Sequence, residues 1–392
     1  MWNMFSRLFG NAKTLRQHAP HLHAVAQHNS FAPAPVQALA PLYEQSPYVY
    51  VAVNRIAEAC ALVPLRVYRR TPQGRERLEQ HPLLDLLDDP NPTTSRFELF
   101  EQTIGFLELA GNAYWFISGD ENGQPREIWC LRPDRVTIVP DSQRVVRGYL
   151  YDLDGVRVPL EPLEVVHFKR WHPSNDYYGL SAVAVARLAA TSDRAMAQWN
   201  ANTFGRDHAI PAGILNVKGS VNRDDFERIK QEWRASYGTG QRRTAFLQGD
   251  AMEWIHVGLS HADLDFLGGR KAQRDEILSI FGVPIGLIDA NATEANATVA
   301  ERHFVERTLY PKLVRVAQRL TQELAPFYGA DIVAEFEDIR PTDHNARLQE
   351  IAAARGILTR DELRARYYDL APAKGVVRRN AHPAPHKAMS SP

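Results

Sequence analysis

The sequence predicts an α+β fold spread over more than one domain, and three observations carry that prediction. Short β-rich segments crowd residues 112–170 between helical stretches. From Gly179 the character changes to Ala-dense and charged helices, two of which flank a compact αβ unit at 206–260. A long helix over 298–326 then repeats Val305, Leu309, Leu313, Val316, Leu320 and Leu324 at helical spacing, before a last strand and a small helical unit.

Residues 1–45 are rich in His, Ala and Pro, and read as a mobile arm. The opening MWNMFSRLFG places Trp2, Phe5, Leu8 and Phe9 near one helical face without a signal peptide's longer apolar region. Next, PYVYVAVNRIAEACALVPLRVYRR reads as a helix feeding a strand, with Val51, Ile56, Ala59, Cys60 and Val63 as its apolar stripe and Pro64 as its stop. HPLLDLLDDPNP is a short helix and a turn. Ser95, with Glu98 three residues on, caps a second helix that Gly111 closes, and NAYWFI follows as a strand. IWCLRP, RVTIV, VRGYLYDL and EVVHFKR add further strands, for a mostly antiparallel first half.

GLSAVAVARLAATSDRAMAQWNANTFG is an Ala-dense helix whose small side chains suit close approach to another helix. In the compact unit, AGILNV, TAFLQ and MEWIHV are strands, and Asn222 caps a helix with Phe226, Ile229 and Trp233 on its apolar face and Gly238 at its end. A second helix over 262–281 stops at Gly282 and Pro284. Pro311 predicts a kink in the long helix. DIVAEFEDI is the last strand, HNARLQEIAAARGILTRDELRARYY the small helical unit, and the tail carries Lys374, Arg378, Arg379 and Lys387 with no acid.

With 392 residues the chain exceeds one ordinary core. Its formal net charge is zero, so no global field draws it to a polyanion, and any such contact is local. Only eight of the 46 basic residues are Lys. Arg favours interfaces, while a GC-rich genome gives the same bias, and composition leaves both readings open. Cys60 and Cys130 are too few for a zinc site or a disulfide framework, and no run reaches the ~20 apolar residues of a membrane span.

Candidate chemistry is sparse. Phosphate loops, nucleophile elbows and paired zinc histidines are absent, and GTGQRR at 238–243 lacks the Lys-Ser/Thr ending. DLDG at 152–155 reads as a hairpin turn rather than a Ca²⁺ loop, because the distal Glu is missing. Asp88-Asp89 and Asp224-Asp225 are the acid pairs a Mg²⁺-dependent nuclease would use. The first pair lies in a Pro-rich turn, and the second at a helix N-terminus where acids offset the macrodipole. His167 is a lone strand histidine. The sequence therefore predicts no catalytic residues, no metal and no cofactor, and a protein that is not an enzyme.

Several segments, taken in order, resemble the HK97-like portal proteins of tailed bacteriophages: VNRIAEACALVPLRVYRR, HPLLDLLDDPNP, ELAGNAYWFI, EVVHFKRW with YGLSAV, FGVPIGLI and ERTLYPKLVRVAQRLTQEL. The resemblance covers about 46–372. Ala182 departs from it, standing where relatives often carry Pro. The resemblance implies a portal fold: an α+β wing (46–178), stem helices (179–205 and 261–282) flanking a small αβ clip (206–260), a tunnel loop (283–298), a long kinked helix with a returning wing strand (299–344) and a helical crown (345–372). The ends, 1–45 and 373–392, would be a flexible arm and a disordered basic tail.

It also implies a dodecameric ring at one capsid vertex of the virion, assembled in the host cytoplasm, through which double-stranded DNA is packaged and ejected. Its partners would be the large terminase subunit, the head–tail adaptor, and the major capsid and scaffold proteins.

Under this mapping IDANATEANAT (288–298) faces DNA with Asp289, Asn291, Thr293, Glu294 and Asn296. Duplex DNA carries one charge per ~1.7 Å of axis, so a Lys/Arg collar would grip it. Acids and neutral amides favour sliding instead. An ordinary surface loop between two helices has a similar composition. In the clip, Arg228, Trp233, Arg234, Arg242, Arg243 and Trp254 are the candidates for docking the motor and then the adaptor, since mixed charge around Trp suits protein better than DNA. Plain solvated charge is the alternative for each Arg. The competing function classes are a metal-dependent nuclease and a different ring-forming head–tail connector.

Overall fold

The computed structural model describes residues 36–141, 145–205, 214–217, 222–237, 252–255, 266–341 and 344–368. By internal contacts the chain forms two units, Met1–Ile339 and Arg340–Pro392.

The first unit opens with α1 (Val36–Gln45), inside the stretch expected to be a mobile arm. Leu42 is buried, and the Tyr43 hydroxyl donates to Asn54 Oδ1 at 2.7 Å. Tertiary docking of these two side chains overrides the Pro-rich composition. Helix α2 (Pro47–Ala61) follows, capped by Ser46. Its buried positions are Val49, Ala52, Val53, Ile56, Ala57, Cys60 and Ala61, so Val51 and Ala59 of the expected stripe stand only at its margin. Both cysteines are free thiols. Burial pushes each thiol up to about 12, so neither is a ready nucleophile.

Strands β1 (Leu65–Thr71) and β2 (Gly74–Leu78) form a hairpin whose second strand the sequence did not announce, since GRERL carries one apolar residue. Helices α3 (Pro82–Asp88) and α4 (Arg96–Ala110) follow, the latter with the expected Ser95–Glu98 capping box and a left-handed Gly111 at φ +72°. Strands β3 (Asn112–Gly119), β4 (Pro125–Leu131) and β8 (Val165–Lys169) make one antiparallel sheet. Strands β5 (Val136–Asp141), β6 (Val145–Leu153) and β7 (Val156–Leu160) make another. The DLDG segment is the β6–β7 turn: Asp154 and Gly155 both have positive φ, as a two-residue primed turn requires, and Gly155 N–H donates to Asp152 Oδ1.

Helix α5 (Ala182–Gly205) leaves this body, and α7 (Phe266–Phe281) returns along it. Asp193 and Arg270 join the pair by a 2.8 Å ion pair with the carboxylate buried, and Gly269 lies against Met196. These two contacts fix the helices as antiparallel. Between them lie β9 (Ile214–Val217) and β10 (Met252–Ile255), paired antiparallel, and α6 (Arg223–Tyr237). The expected strand at 244–248 lies outside the described residues.

The long helix starts earlier than expected. Helix α8 (Glu294–His303) runs into a π-helical segment at Phe304–Leu309 and then α9 (Tyr310–Glu323). Just before Pro311 the helix widens: Tyr310 N–H reaches back to Val305 O, so the π segment ends next to the one residue that cannot donate to the preceding turn. Leu309, Leu313, Val316, Leu320 and Leu324 are buried, as the spacing predicted, while Val305, the first of the repeat, is half-buried beside the buried Phe304. Strand β11 (Ile332–Phe336) returns to pair with β1, placing Ala334 opposite Val67.

The second unit is a helical pair, α10 (His344–Ala354) and α11 (Arg360–Tyr368). Thr359 and Glu362 cap α11 reciprocally, and the Tyr367 hydroxyl donates to Glu350 Oε1 at 2.9 Å.

Candidate channel loop and docking surface

The segment expected to face DNA is anchored at both ends. Helix α7 ends in a Schellman motif: Gly282 N–H donates to Ser279 O and Val283 N–H to Leu278 O. Gly282 sits at φ +73°, and a Cβ there would meet Thr308 Oγ1 at 2.6 Å. That hydroxyl donates to Gly282 O at 2.5 Å, tying the end of α7 to the π segment. A 3₁₀ turn at Ile285–Leu287 then packs Gly286 against Ala300, where a Cβ would come within 3.0 Å of the alanine Cβ.

Beyond this base the loop is shorter than expected. Asp289 is half-buried and its Oδ1 accepts from Asn291 N–H at 3.0 Å, while Ala292 N–H donates to Asp289 O. Thr293 is the N-cap of α8, accepting from Asn296 N–H at 3.3 Å. Glu294 and Asn296, expected on an irregular loop, lie in the first helical turn, where an acid offsets the helix dipole. The correction has a local cause: Thr293 and the Ala-rich run after it form a capped helix start. Asn291, Thr293, Glu294 and Asn296 are exposed. Between Arg274 and Arg302 the chain has no Lys or Arg, but carries Asp275, Glu276, Asp289, Glu294 and Glu301.

The expected docking residues are placed unevenly. Arg228 is exposed on α6 and pairs with Asp225 at 3.0 Å. Trp233 and Arg234 lie on α6, and Trp254 lies on β10 opposite Leu215. Arg242 and Arg243 fall outside the described residues. Phe226 on α6 is 49% exposed, so the face expected to be apolar is open to solvent there.

The acid pairs are occupied locally. Asp88 lies 3.5 Å from Arg96, Asp89 ends α3, and Asp225 N–H is capped by Asn222. Among the described residues no group of three or more His, Cys, Asp or Glu could hold a metal ion, and no helix is long and apolar enough to cross a membrane.

His167 is buried, stacked on Tyr114 at 4.4 Å, with Nε2 3.2 Å from Asn112 Oδ1. Burial, then Lys169 and Arg319, hold its pKa well below the usual value, so the ring is neutral.

One polar cluster joins residues far apart in the sequence. Glu108 on α4 is 1% exposed and takes Arg170 and Lys312, each at 2.6 Å, tying α4, the end of β8 and α9 together. These cations and Arg315 line a cleft of about 290 Å³ beside the carbonyl end of α7. Arg315, its pKa lowered by burial and by Arg170, donates to Lys169 O.

Two of the segments that carried the resemblance meet at one point. Gly111 of ELAGNAY and Gly179 of YGLSAV stand backbone to backbone, and Asn112 Oδ1 accepts from Gly179 N–H at 2.8 Å. Ser181 caps α5 through Ala184 N–H, and its hydroxyl lies 2.7 Å from Leu109 O at the end of α4. Ser181 thus starts the helix, with Ala182 as its first residue.

Residues 47–367 match the model of the phage portal protein family. The chain belongs to that family. A probable portal protein of Streptomyces phage phiC31 is 26% identical over 281 residues, covering 68% of this chain and 61% of its own. The portal protein of Enterobacteria phage HK97 is 22% identical, covering 71% and 66%. Among solved structures, the neck of a native gene transfer agent particle computed with C12 symmetry matches at 30% identity and TM-score 0.70, covering 90% of this chain and 99% of that one. An HK97-family portal protein from Corynebacterium diphtheriae shares the fold at TM-score 0.52 and 20% identity, covering 77% and 97%. The portal chain is thus a structural subunit of the channel at the capsid's portal vertex.

Proposed function

We propose that twelve copies of this portal chain encircle duplex DNA, and that residues 288–298 face the axis as a collar the duplex slides past. The single observation that carries this reading is the charge of the α7–α8 connection. It is a tight, exposed turn, anchored at its base, in a run free of Lys and Arg. A collar of this composition offers phosphates only neutral hydrogen bonds and mild repulsion, which favours movement over retention.

The α5–α7 pair is then the stem and the unit between its helices the clip, with α10 and α11 as crown. The clip docks the large terminase subunit during packaging and the head–tail adaptor afterwards, through Arg228, Trp233, Arg234, Arg242, Arg243 and Trp254. The exposed Arg228 and half-exposed Phe226 support this assignment. The major capsid and scaffold proteins contact the outer ring. ATP hydrolysis belongs to the motor, and the portal chain itself carries out no catalysis.

The test is a charge reversal on exposed collar positions. Asn291→Lys combined with Glu294→Lys leaves the Asp289 turn and the Thr293 cap intact. DNA translocation in assembled particles slows, the more so at low salt. Passage at the wild-type rate at every salt concentration would count against the collar.

A further inference from the structure

Helices α5 and α7 each bury one side and leave the other open. On α5 the outward positions are Ala184, Arg187, Leu188, Thr191 and Ala195. Leu188 is 78% exposed and its neighbour Val185 is 54% exposed, although both stand on a well-formed helix. On α7 the outward positions are Gly268, Lys271, Ala272, Glu276 and Ser279, and the half-buried Asp275 beside them pairs with Arg274 at 2.8 Å. Among the described residues neither Arg187 nor Glu276 takes part in an ion pair, whereas Asp193 and Arg270 are paired within the hairpin.

The two open faces are matched in height. Asp193 and Arg270 fix one level of the antiparallel pair. Arg187 lies six residues before Asp193 and Glu276 six residues after Arg270, so both stand at a second level, about 9 Å along the axis at 1.5 Å per residue. By the same offset Leu188 stands level with Asp275, Thr191 with Ala272 and Ala195 with Gly268. The face with exposed aliphatic and cationic side chains thus has, at each of these four levels, a small or acidic counterpart on the other helix, and the exposed Lys271 stands level with Ser192.

We infer that the open face of α5 in one copy seats on the open face of α7 in the next, with Arg187 of one pairing Glu276 of the other. This rests on the ring reading above. Rotation about an axis along the hairpin preserves height, so a residue can meet only what stands at its own level in the neighbouring copy. Ala272 and Ser279, within a turn of the levels of Leu188 and Val185, leave room for these two side chains, which would otherwise remain in water. The partner is therefore a second copy of this chain. The alternation of cation and acid also sets direction, because two like faces would bring Arg187 against Arg187.

Charge exchange in the full-length chain tests this, with ring and monomer populations measured by mass photometry. Arg187→Glu and Glu276→Arg each lower the ring population at least tenfold at a fixed concentration. The double exchange restores it to within about twofold of wild type, which also shows that neither substitution acts through misfolding. Rings in both single variants at the wild-type level, or a double variant no better than the singles, overturn the pairing while leaving the ring itself standing. A wild-type chain that never forms rings overturns the ring reading as well.

Discussion

Gly111 and Gly179 touch backbone to backbone: a Cβ on Gly179 would lie 2.1 Å from Gly111 O, and one on Gly111 would lie 2.4 Å from Gly179 O. The contact joins the end of α4 and the start of β3 to the segment that launches α5, so two short motifs 68 residues apart are one structural joint. Each position opposes backbone, which cannot swing aside as a side chain would.

Gly179→Ala should therefore destabilise the protein by about 3 kcal/mol, the upper part of the range for overpacking. Gly111→Ala should cost at least as much, because its left-handed φ of +72° adds strain. Denaturant titration checks both. A change below about 0.5 kcal/mol in either would mean that the joint yields.

The buried Glu108 makes a second prediction. Glu108→Ala strands Arg170 and Lys312, and breaking a buried pair this way costs about 3–5 kcal/mol, less here to the extent that both cations reach solvent. Replacing Glu108 and Lys312 together, by Leu and Met, should recover part of that loss. A double variant as unstable as the single one would show that the residual Arg170 charge dominates.

His167 predicts a pH dependence. Its folded pKa lies well below its unfolded value near 6.5, so the stability gained by keeping the ring neutral is full above that value. It is lost as pH falls from about 6.5 toward the folded pKa, at up to about 1.4 kcal/mol per pH unit. Burial raises the pKa of Glu323, which acts in the opposite sense near the carboxylate range. The comparison of wild type with His167→Gln therefore isolates the histidine. The variant's stability should be flatter between pH 6.5 and 5, and parallel curves would contradict the assignment.

The anchor between Gly282 and Thr308 should hold the turn at 289–293 in place. Thr308→Val removes the 2.5 Å hydrogen bond to Gly282 O and should cost about 1 kcal/mol globally. Its local effect is larger in kind: cleavage by a Glu-specific protease after Glu294 should accelerate severalfold. An unchanged cleavage rate would show that the turn is held by its packing alone.

Much of this was legible in the sequence, for identifiable reasons. The Ser95–Glu98 box, the Gly111 stop, the apolar repeat of α9 and the β6–β7 turn are set by near neighbours, so local chemistry sufficed. The start of α8 was misplaced because Thr293 reads equally well as a loop residue until its side chain is seen accepting from Asn296 N–H. Helix α1 leaves no local signal in its Pro-rich sequence because it is held by Leu42 and Tyr43 docking on α2 and its neighbours, a tertiary effect. Strand β2 is specified by its pairing with β1 and not by its own residues. The Glu108 cluster joins positions 62 and 204 residues apart, which no local pattern records. A charged residue inside the otherwise apolar run GFLELAG was the only hint.

In the proposed channel, copies of this chain close around DNA with the turn at the start of the 288–298 collar, residues 289–293, at the narrowest point. Electron cryomicroscopy of the purified full-length protein tests it most directly. Closed rings with an open central hole, lined at its constriction by the Asp289–Thr293 turn, are the expected result. Particles that stay monomeric, rings with no hole, or a map placing that turn on the outer rim would contradict it.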